Sequence, residues 1–528
     1  MMTNANPYLR IGIDVGGTNT DAVLMSGDRV LESSKQPTTE DVSSGIVAAI
    51  EAVLSKHPQS RSDVRAVMVG TTHFVNAIVQ ASSLCPVGTL RIGLPMGSAI
   101  PPMVDWPDDL RATVDGGRYL VEGGAYYTGD SYIELDEPAV KAAAQTMQSD
   151  KRTAVAISCV FAPIRPDIEH RAAELIRHYL PHAKITMSHE MGGLGLIERE
   201  NSAILNACLS ELADKVVKGM EAAIAHCGLN ASLYISHNDG TLMDVELVRR
   251  HPIFACAAGP TNSIRGAAFL TGMDEAIVVD VGGTTTDIGM LTKGLARETS
   301  TAIELGGVKT NFAMPDVLSV ALGGGTIVQR GEDGALSLDT RSVGFRLQEA
   351  ALVFGGETLT STDLAVAQQW MQVGDASLVT GLNEESQRDF SKQVQRRIAD
   401  AVDQVKLSAT DVPVVAVGGG APLVRDGLPG ATEVFRPEFG GVANAIGAAI
   451  AQVGGRVQRL FDYEALGGRD AAIALATEEA KDQALKAGAI PETISVVEIE
   501  EFPMPYMETA AVDLRVRVVG DLNLAADR

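Results

Sequence analysis

The sequence predicts an α/β protein with two duplicated lobes around a central cleft and a small α+β domain at its C-terminal end. The first observation is a repeat: Arg10–Met25 reads RIGIDVGGTNTDAVLM, and Ala276–Leu291 reads AIVVDVGGTTTDIGML. The second is the alternation of short apolar runs with helical patterns around both copies, which indicates buried strands joined by helices. The third is a composition of 53 glycines and only 4% aromatic residues, which fits aliphatic strands and many tight turns.

Length, charge and cysteine content limit the class of protein. A chain of 528 residues is too long for one core and suits two or three domains. The net charge of −24 repels nucleic acid and anionic membrane surfaces, so neither is expected as a partner. Met1–Arg10 has no apolar signal core, and no apolar run reaches eighteen residues, so we expect a cytoplasmic protein without a membrane span. The five cysteines have no C-x-x-C spacing and predict free, buried thiols.

The order of the predicted elements supports two lobes and a C-terminal unit. Each octet follows one apolar run and continues into another, which predicts two β-hairpins with Gly-Gly turns. Apolar runs predict further strands at Val64–Gly70, Ala154–Phe161, Lys184–Ser188, Val414–Val417, Val496–Ile499 and Val512–Val519. Helical spacing predicts helices from Thr72 to Val79 and over Pro166–Tyr179, Asn201–Ile224, Gly441–Gln452 and Asp470–Ala487. Breaks in this pattern place the domain limits at 1–195, 196–455 and 456–528.

The repeated octet D-V-G-G-T-x-T-D is suited to binding phosphate. A Gly-Gly turn lets backbone N–H groups approach an anion closely, because no side chain intervenes. The threonine hydroxyls add further donors. Asp14 and Asp280 end a strand beside each turn, where a carboxylate can hold Mg²⁺ through water. A single G-G-T segment is more often a structural hairpin, but two near-identical octets between buried strands favour function.

A third glycine-rich turn follows the two octets. Val414–Pro422 reads VVAVGGGAP, a strand that runs into Gly418, Gly419 and Gly420. A purine and its ribose need a flat, close approach of the backbone, which such a turn provides. The three turns in this order predict a site for ATP with Mg²⁺ or another divalent cation.

These segments resemble the actin, Hsp70 and sugar-kinase superfamily and, within it, the hydantoinase A and oxoprolinase family. The resemblance extends from Arg10 to Gly454 and depends on seven ordered segments. Besides the two octets they are GTTHFVNA at Gly70–Ala77, ERENSAILNA at Glu198–Ala207, HNDGTLM at His237–Met243, AAGPTNS at Ala257–Ser263 and LGGGTIV at Leu322–Val328. AAGPTNS departs from the SGPAGG of the family, which leaves the substrate preference open, and the C-terminal part is shorter than in most large subunits.

The resemblance implies actin-like, ribonuclease H-like ATPase lobes and an ATP- and metal-dependent reaction. Family members open or activate cyclic amides such as hydantoins and 5-oxoproline, or carboxylate ketones, after ATP phosphorylates the carbonyl oxygen. Phosphorylation addresses both the poor electrophile and the poor leaving group of an amide, and the protein supplies positioning and charge neutralisation. Members commonly work with a hydantoinase-B-type second subunit, so this chain is expected to be one half of an enzyme that takes a small amide or carbonyl substrate.

The resemblance also implies a set of site residues. The catalytic candidates are Asp14, Asp280, Thr72 and His73, of which Asp14 and Asp280 are also expected to anchor the metal. The nucleotide-binding candidates are Gly16, Gly17, Thr18, Asn19 and Thr20 in the first loop, Gly282, Gly283, Thr284, Thr285 and Asp287 in the second, and Gly418, Gly419 and Gly420 at the adenosine.

Several other polar segments have both a functional and a structural interpretation. His73 fits a substrate contact or metal ligand as well as a helix start, and Thr71, Thr72 and Asn76 suit substrate or phosphate contact. Ser188–Glu190 fit a site at a strand end or a surface pair, and His237–Asp239 fit a site or a turn. Glu198 and Arg199 fit a site or a salt-bridged helix start. Thr362 and Asp363 fit a site or a helix cap.

Three other function classes remain open on the sequence. A small-molecule kinase of the same superfamily would release a stable phosphorylated product. A chaperone-like reactivating ATPase would turn over ATP slowly and bind a client. A scaffold without turnover is disfavoured by the intact acids at both loops. No His or Cys pair has zinc-site spacing, and no G-x-S-x-G motif supports a serine nucleophile.

Overall fold

A computed structural model describes residues 8–38, 42–299, 303–330, 336–381, 384–504 and 511–525. The strands, in chain order, are β1 Leu9–Val15, β2 Asn19–Ser26, β3 Arg29–Pro37, β4 Val64–Thr71, β5 Val87–Leu94, β6 Asp115–Glu122, β7 Gly124–Ala125, β8 Ser131–Ile133, β9 Ala154–Cys159, β10 Lys184–Met187, β11 Ser232–Ser236, β12 Leu242–Asp244, β13 Ala276–Val281, β14 Thr286–Thr292, β15 Leu295–Ala296, β16 Ile303–Leu305, β17 Val308–Thr310, β18 Val317–Val320, β19 Thr326–Arg330, β20 Leu336–Ser342, β21 Val412–Val417, β22 Ala431–Phe435, β23 Val453–Asp462, β24 Ser495–Pro503 and β25 Ala511–Gly520.

The α-helices connect these strands and cover the sheets. They are α1 Val42–Leu54, α2 His73–Val79, α3 Asp108–Val114, α4 Glu137–Ser149, α5 Pro166–Tyr179, α6 Leu196–Cys208, α7 Ser210–His226, α8 Val245–Arg250, α9 Ala258–Thr271, α10 Leu347–Ala350, α11 Ser361–Ala367, α12 Glu384–Val405, α13 Ala443–Ala449 and α14 Arg469–Lys486. The structure confirms the predicted helix at Pro166–Tyr179. The helix predicted over Asn201–Ile224 is instead two helices, α6 and α7, that meet at Leu209, where the backbone N–H bonds to Asn206 rather than continuing the regular pattern.

The two predicted hairpins are present and equivalent. β1 pairs antiparallel with β2, and β13 pairs with β14. In each hairpin the first acid of the octet lies opposite the last, so Asp14 faces Asp21 and Asp280 faces Asp287. Both turns close in the same way: the Gly16 N–H donates to the Asn19 carbonyl at 3.1 Å, and the Gly282 N–H donates to the Thr285 carbonyl at 2.9 Å.

Each hairpin belongs to its own sheet. The first lies in a nine-stranded sheet of order β24-β25-β23-β12-β11-β4-β1-β2-β3. The second lies in a six-stranded sheet of order β15-β14-β13-β21-β22, with β18 paired to β14. A separate four-stranded sheet, β10-β9-β5-β6, follows the first hairpin in the chain and is covered on one side by α4 and α5.

Strand pairing crosses both of the predicted domain limits. β11, after residue 195, pairs parallel with β4 in the first sheet. The C-terminal strands β23, β24 and β25, with α14, form the expected α+β unit, but they extend this same sheet through β12. Apolar runs mark where strands occur but not which strands pair, because pairing depends on contacts far apart in the chain. The limits at 195 and 455 therefore do not separate the sheets, and the division into independent domains at these limits stays a prediction.

Helices α9 and α13 hold the two sheets together. A methyl group on Gly266 of α9 would collide with the Ala443 carbonyl, and one on Gly447 of α13 would collide with the Asn262 carbonyl. The two helix backbones are therefore in direct contact. α13 also touches β1 at Gly12, and α9 touches β14 at Gly289, so the pair of helices connects the two hairpin sheets.

The five cysteines are free and buried, as the sequence predicts. Across the described part of the chain no helix is long and apolar enough to cross a membrane. Met1–Pro7, which contributed to the expectation of no signal sequence, lie outside the described residues.

Candidate active site

The two Gly-Gly loops meet each other. A methyl group on Gly283 would lie 2.6 Å from the Thr18 hydroxyl oxygen and 3.0 Å from its Cβ, so the loops are in van der Waals contact at this point. A methyl group on Gly17 would meet no atom within 4 Å, and Thr284 and Thr285 are exposed. The backbone of both loops therefore faces open space where they converge, which is the arrangement that a polyphosphate chain between two sets of donors requires.

The LGGGTIV segment at Leu322–Val328 hydrogen-bonds to the backbone of the second Gly-Gly loop. The Gly324 N–H donates to the Gly282 carbonyl at 3.0 Å, and the Gly325 N–H donates to the Gly283 carbonyl at 2.7 Å. The Thr362 hydroxyl in turn donates to the Gly324 carbonyl at 2.8 Å. These bonds hold the loop carbonyls on the side away from the cleft, so the loop is fixed before any ligand binds.

The first loop has an equivalent support in Thr38. Its hydroxyl donates to the Gly16 carbonyl at 2.8 Å, and its N–H donates to the Thr18 carbonyl at 3.0 Å. Thr20 differs from the sequence expectation, because its side chain is completely buried and its hydroxyl lies 3.4 Å from that of Thr38. Its hydroxyl therefore packs behind the loop and does not face the cleft.

Asp14 is a buried carboxylate with one unused oxygen. Its Oδ2 accepts a hydrogen bond from the Asn444 side-chain amide at 2.9 Å, whereas Oδ1 is buried and has no partner among the described residues. Burial raises the pKa of Asp14 to about 7, and the charges of Asp21 and Asp280 act in the same direction. An unpaired acceptor in this position is costly unless a cation, a proton or water occupies it.

The second hairpin repeats this arrangement with different partners. Asp280 accepts a hydrogen bond from the Ser263 hydroxyl at 2.5 Å, and burial raises the pKa of Asp280. Burial also raises the pKa of Asp287 to about 6, although the Ser319 hydroxyl donates to its carboxylate. The two hairpins thus bring four acids of the octets into one region of strong negative potential.

Lys35 on β3 is a cation that pairs with the acids of this region. Its amino group lies 2.6 and 2.7 Å from the two carboxylate oxygens of Asp21. Its charge lowers the pKa values of Asp14, Asp21 and Asp280, in opposition to burial. Its Cε would lie 4.0 Å from a methyl group on Gly419, so the side chain spans the space between the first hairpin and the third glycine-rich turn.

The residues fit a divalent cation that keeps most of its water. Mg²⁺ prefers oxygen ligands and is often held by one or two carboxylates. Asp14 Oδ1 has no partner among the described residues, and burial together with the neighbouring acids raises the pKa of Asp14. A cation bound there would give this oxygen a partner and would favour the ionised carboxylate. Within the described ranges no group of three or more His, Cys, Asp or Glu side chains is placed to hold a metal, so the protein would supply few direct ligands.

The third glycine-rich turn joins the second hairpin sheet. The Gly420 N–H donates to the Val281 carbonyl at 2.8 Å, and the Gly418 N–H donates to the Gly440 carbonyl at 2.9 Å. Gly418 has φ +82°, and a methyl group there would collide with Oδ1 of Asp280, so this position requires glycine. Phe439, beside the same turn, is 39% exposed and also has a positive φ. An exposed aromatic ring next to this turn suits contact with a purine.

Thr72 and His73 lie beside the first loop. β4 pairs with β1 so that Thr71 lies next to Val15, and both the N–H and the hydroxyl of Thr72 are 3.3 Å from the Val15 carbonyl. The His73 Nδ1 is 2.6 Å from the Thr71 hydroxyl oxygen, and burial lowers the pKa of the imidazole below 6.5. His73 is therefore a half-buried imidazole beside the first Gly-Gly loop, and its burial favours the neutral form.

The other polar segments have structural partners. Ser188 and His189 both bond to the buried Glu169, and the Arg199 guanidinium donates to the Ser188 hydroxyl at 2.9 Å. This network holds α6 against the end of β10. Thr360 caps α11 in a capping box with Asp363, which confirms the cap interpretation for Asp363. For Thr362 that interpretation is wrong, because its hydroxyl donates to the Gly324 carbonyl. His237 and Asp239 bond to each other in a turn closed by Gly240 at φ +84°.

Sequence reasoning missed Lys35, Ser263 and Asn444. Ser263 belongs to AAGPTNS, so its segment was identified but its contact with Asp280 was not. Asn444 is a polar residue among the small residues of α13, an irregularity that the sequence shows without assigning a role. No motif distinguishes Lys35 from other lysines, because its position depends on how β3 pairs with β2.

Two family models match most of the chain. The hydantoinase/oxoprolinase N-terminal region matches residues 10–180, and the hydantoinase/oxoprolinase model matches residues 199–372. Caprolactamase subunit alpha of Pseudomonas jessenii is 26% identical over 397 residues, which is 70% of this chain and 56% of the relative. Acetophenone carboxylase gamma subunit of Aromatoleum aromaticum is 25% identical over 401 residues, which is 69% of this chain and 54% of the relative. The chain spans about half the length of the curated relatives it matches.

Comparison with solved structures supports the fold. The crystal structure of ATP-dependent caprolactamase from Pseudomonas jessenii superposes with a TM-score of 0.75 at 19% identity, over 97% of this chain and 88% of that chain. The α/β fold with duplicated, actin-like lobes is therefore confirmed.

Proposed function

The chain belongs to the hydantoinase/oxoprolinase family, and we propose that it is a subunit that uses ATP to activate a cyclic amide, such as a hydantoin, 5-oxoproline or a related lactam. The observation that carries the proposal is the contact between the two phosphate loops, with Asp14 and Lys35 beside them. Two preformed donor loops with acids and one cation between them suit the transfer of a phosphoryl group.

The proposed reaction begins with attack of the amide oxygen on the γ-phosphorus of ATP. The bond from that phosphorus to the β,γ-bridging oxygen breaks, and ADP leaves with the electron pair. Water then adds to the carbon of the resulting imidate phosphate. The C–N bond breaks as the ring nitrogen takes a proton, and a second water releases phosphate from the acyl phosphate. The sum is one ring-opened amino acid, one ADP and one phosphate from one amide, one ATP and two waters.

Each part of the proposed reaction is assigned to particular residues of the loops and their neighbours. We assign phosphate binding to the backbone N–H groups of residues 17–19 and 283–285, since the N–H groups of Gly16 and Gly282 close the two turns. Asp14 and Asp280 are the proposed anchors for a hydrated Mg²⁺, which would neutralise phosphate charge when bound. Lys35 is proposed to approach the transferred phosphoryl group, since it is the cation closest to these acids. Gly418–Gly420 and the ring of Phe439 are proposed to border the adenosine.

The amide is proposed to bind on the side of Thr72 and His73. Both lie next to the end of β1, where the first loop begins. A neutral imidazole at pH 7 can accept or donate a hydrogen bond without placing a charge beside the phosphate. We therefore assign His73 the positioning of the amide or of the attacking water.

A second subunit is part of the proposal. The matched relatives are named as subunits, alpha in the caprolactamase and gamma in the carboxylase. We propose a hydantoinase-B-type partner that completes ring opening after this chain activates the amide, and a cytoplasmic complex, where ATP is supplied.

The test uses the purified chain with ATP, Mg²⁺ and a panel of hydantoins, 5-oxoproline and lactams, with and without the partner subunit. Amide-dependent release of phosphate and formation of the ring-opened amino acid are expected, and Asp280→Asn serves as the inactive control. ATP turnover that no amide stimulates in either combination overturns the proposal. A stable phosphorylated product would identify a kinase. Slow turnover with tight binding of a client enzyme would identify a reactivating ATPase. Consumption of bicarbonate with a ketone would identify a carboxylase.

A further inference from the structure

Arg265 is a buried arginine, and two of its nitrogens have no hydrogen-bond partner within the described part of the chain. It lies on α9, two residues after Ser263, and only 7% of it is exposed. Its Nε and Nη1 are buried and have no partner among the described residues. A guanidinium that leaves water without replacing its hydrogen bonds is strongly destabilising, so proteins rarely keep one in this state.

The surrounding charges do not compensate Arg265. Burial lowers its pKa to about 10, and the positive charge of Arg517 acts in the same direction. Asp239 is the acid that opposes these effects. Its carboxylate, however, already accepts hydrogen bonds from the N–H and the hydroxyl of Thr241 at 2.8 and 2.6 Å. The aliphatic part of Arg265 packs on Gly240, which fixes where the guanidinium lies.

Arg265 lines a cavity of about 310 Å³. This volume is at the lower end of the roughly 300–1,000 Å³ that ligand sites occupy. The walls near α9 and α13 are apolar and include Met68, Phe269 and Ile450. Phe269 is four residues after Arg265, so both side chains lie on the same face of α9. A charged group with unmet donors beside apolar side chains in one cavity is the arrangement of a site for a small organic anion.

Another part of the wall carries both signs of charge. Arg10 also has a buried Nε without a partner among the described residues, and the charges of Asp28 and Asp521 act on it. Burial still lowers the pKa of Arg10, but two acids oppose this effect, whereas the acid that acts on Arg265 is Asp239, which already accepts hydrogen bonds from Thr241. None of the residues that line this cavity belongs to the phosphate loops or to the third glycine-rich turn.

We propose that this cavity binds a small carboxylate with a short aliphatic chain, whose oxygens accept hydrogen bonds from the Arg265 guanidinium. The aliphatic chain lies along Met68, Phe269 and Ile450. The proposal does not depend on the function of the phosphate loops. If those loops do activate lactams, the ring-opened product is an amino acid of this class, and its ammonium group would face Asp28 and Asp521.

The test is isothermal titration calorimetry of the full chain with hexanoate, 6-aminohexanoate and inorganic phosphate, without ATP. We expect saturable binding of a carboxylate and at least about tenfold weaker binding to Arg265→Gln, because charged hydrogen bonds are lost. Arg396→Gln, at a highly exposed arginine, is the matched control and should bind like wild type. Tighter binding of 6-aminohexanoate than of hexanoate would assign the ligand to amino acids, and the reverse to simple fatty acids.

A second variant separates binding from folding. Leu524→Trp keeps Arg265 and fills part of the cavity, so it should also weaken binding at least tenfold if the site is correct. Arg265→Gln removes an unpaired buried charge, so its Tm without ligand should equal or exceed that of wild type. The proposal is overturned if neither carboxylate binds wild type, if Leu524→Trp and Arg265→Gln both bind like wild type, or if phosphate alone binds.

Discussion

The amino group of Lys35 lies 2.6 and 2.7 Å from the two carboxylate oxygens of Asp21, and its charge also acts on Asp14 and Asp280. One lysine therefore counterbalances the acids of both hairpins. In the proposed function, the same lysine is available to the phosphoryl group that moves between ATP and the amide.

Lys35→Met is expected to lower kcat for ATP hydrolysis by about 10²-fold, because a fixed charge beside the transferred phosphoryl group is lost. Steady-state phosphate release measures this. Lys392→Met, at a lysine whose side chain is 80% exposed, should keep the wild-type rate. Lys35→Met leaves the Asp21 carboxylate without its partner, and the double variant Lys35→Met/Asp21→Asn removes that charge as well. The thermal stability of the double variant should therefore recover while its kcat stays low. Recovery of kcat in the double variant would mean that Lys35 acts only by pairing with Asp21.

Gly283→Ala is expected to separate the two phosphate loops. The added methyl group would lie 2.6 Å from the Thr18 hydroxyl oxygen, so one loop must move by a few tenths of an ångström or more. Small displacements of reacting groups are costly, and we expect kcat to fall by about 10²-fold with little change in Tm.

Gly381→Ala is the matched control for this change, since a methyl group there meets no atom within 4 Å. Activity and Tm should both be unchanged in the control. Wild-type kcat in Gly283→Ala would show that the loops need not touch during turnover.

Asp14→Asn is expected to stabilise the metal-free protein at pH 8 and to abolish ATP turnover. The folded-state pKa of Asp14 is about 7, above its ordinary value of 3.8. Between these pH values the unfolded chain binds fewer protons, so stability falls as pH rises, and the loss is complete above about pH 7. Removing the charge should raise the free energy of unfolding by roughly 2–4 kcal/mol.

Urea unfolding in EDTA at pH 5 and pH 8 measures the effect of Asp14→Asn. The stabilisation should be larger at pH 8, where the wild-type carboxyl is ionised. An equal effect at both pH values would contradict the assignment of the raised pKa to Asp14.

His73→Gln is expected to lower amide-stimulated ATP hydrolysis by about 10²-fold while ATP binding is kept, because His73 is proposed to position the amide or water. Amide-dependent phosphate release and nucleotide titration measure the two effects separately. His182→Gln, at an exposed histidine, should match wild type in both assays. Loss of ATP affinity in His73→Gln would place this side chain on the nucleotide instead.

Much of the site could be predicted because its residues are adjacent in the chain. Asp14 with Gly16–Asn19, and Asp280 with Gly282–Thr285, each form one turn, and a turn depends on local glycines and β-strand flanks. Thr20 shows the limit of this reasoning. Its place in the octet suggested phosphate contact, but the alternation of side chains along β2 buries it behind the loop.

The sequence by itself determined the duplicated Gly-Gly hairpins, the α/β class, the family and the buried cysteines, because each depends on local patterns. Only the tertiary structure placed Lys35 against Asp21, Ser263 against Asp280 and Asn444 against Asp14, and only it joined the C-terminal strands to the first sheet. The physical reason is that these relationships depend on the pairing of distant strands and on the close crossing of α9 and α13. Such contacts are set by packing over the whole chain, whereas a hairpin turn is set by the few residues that form it.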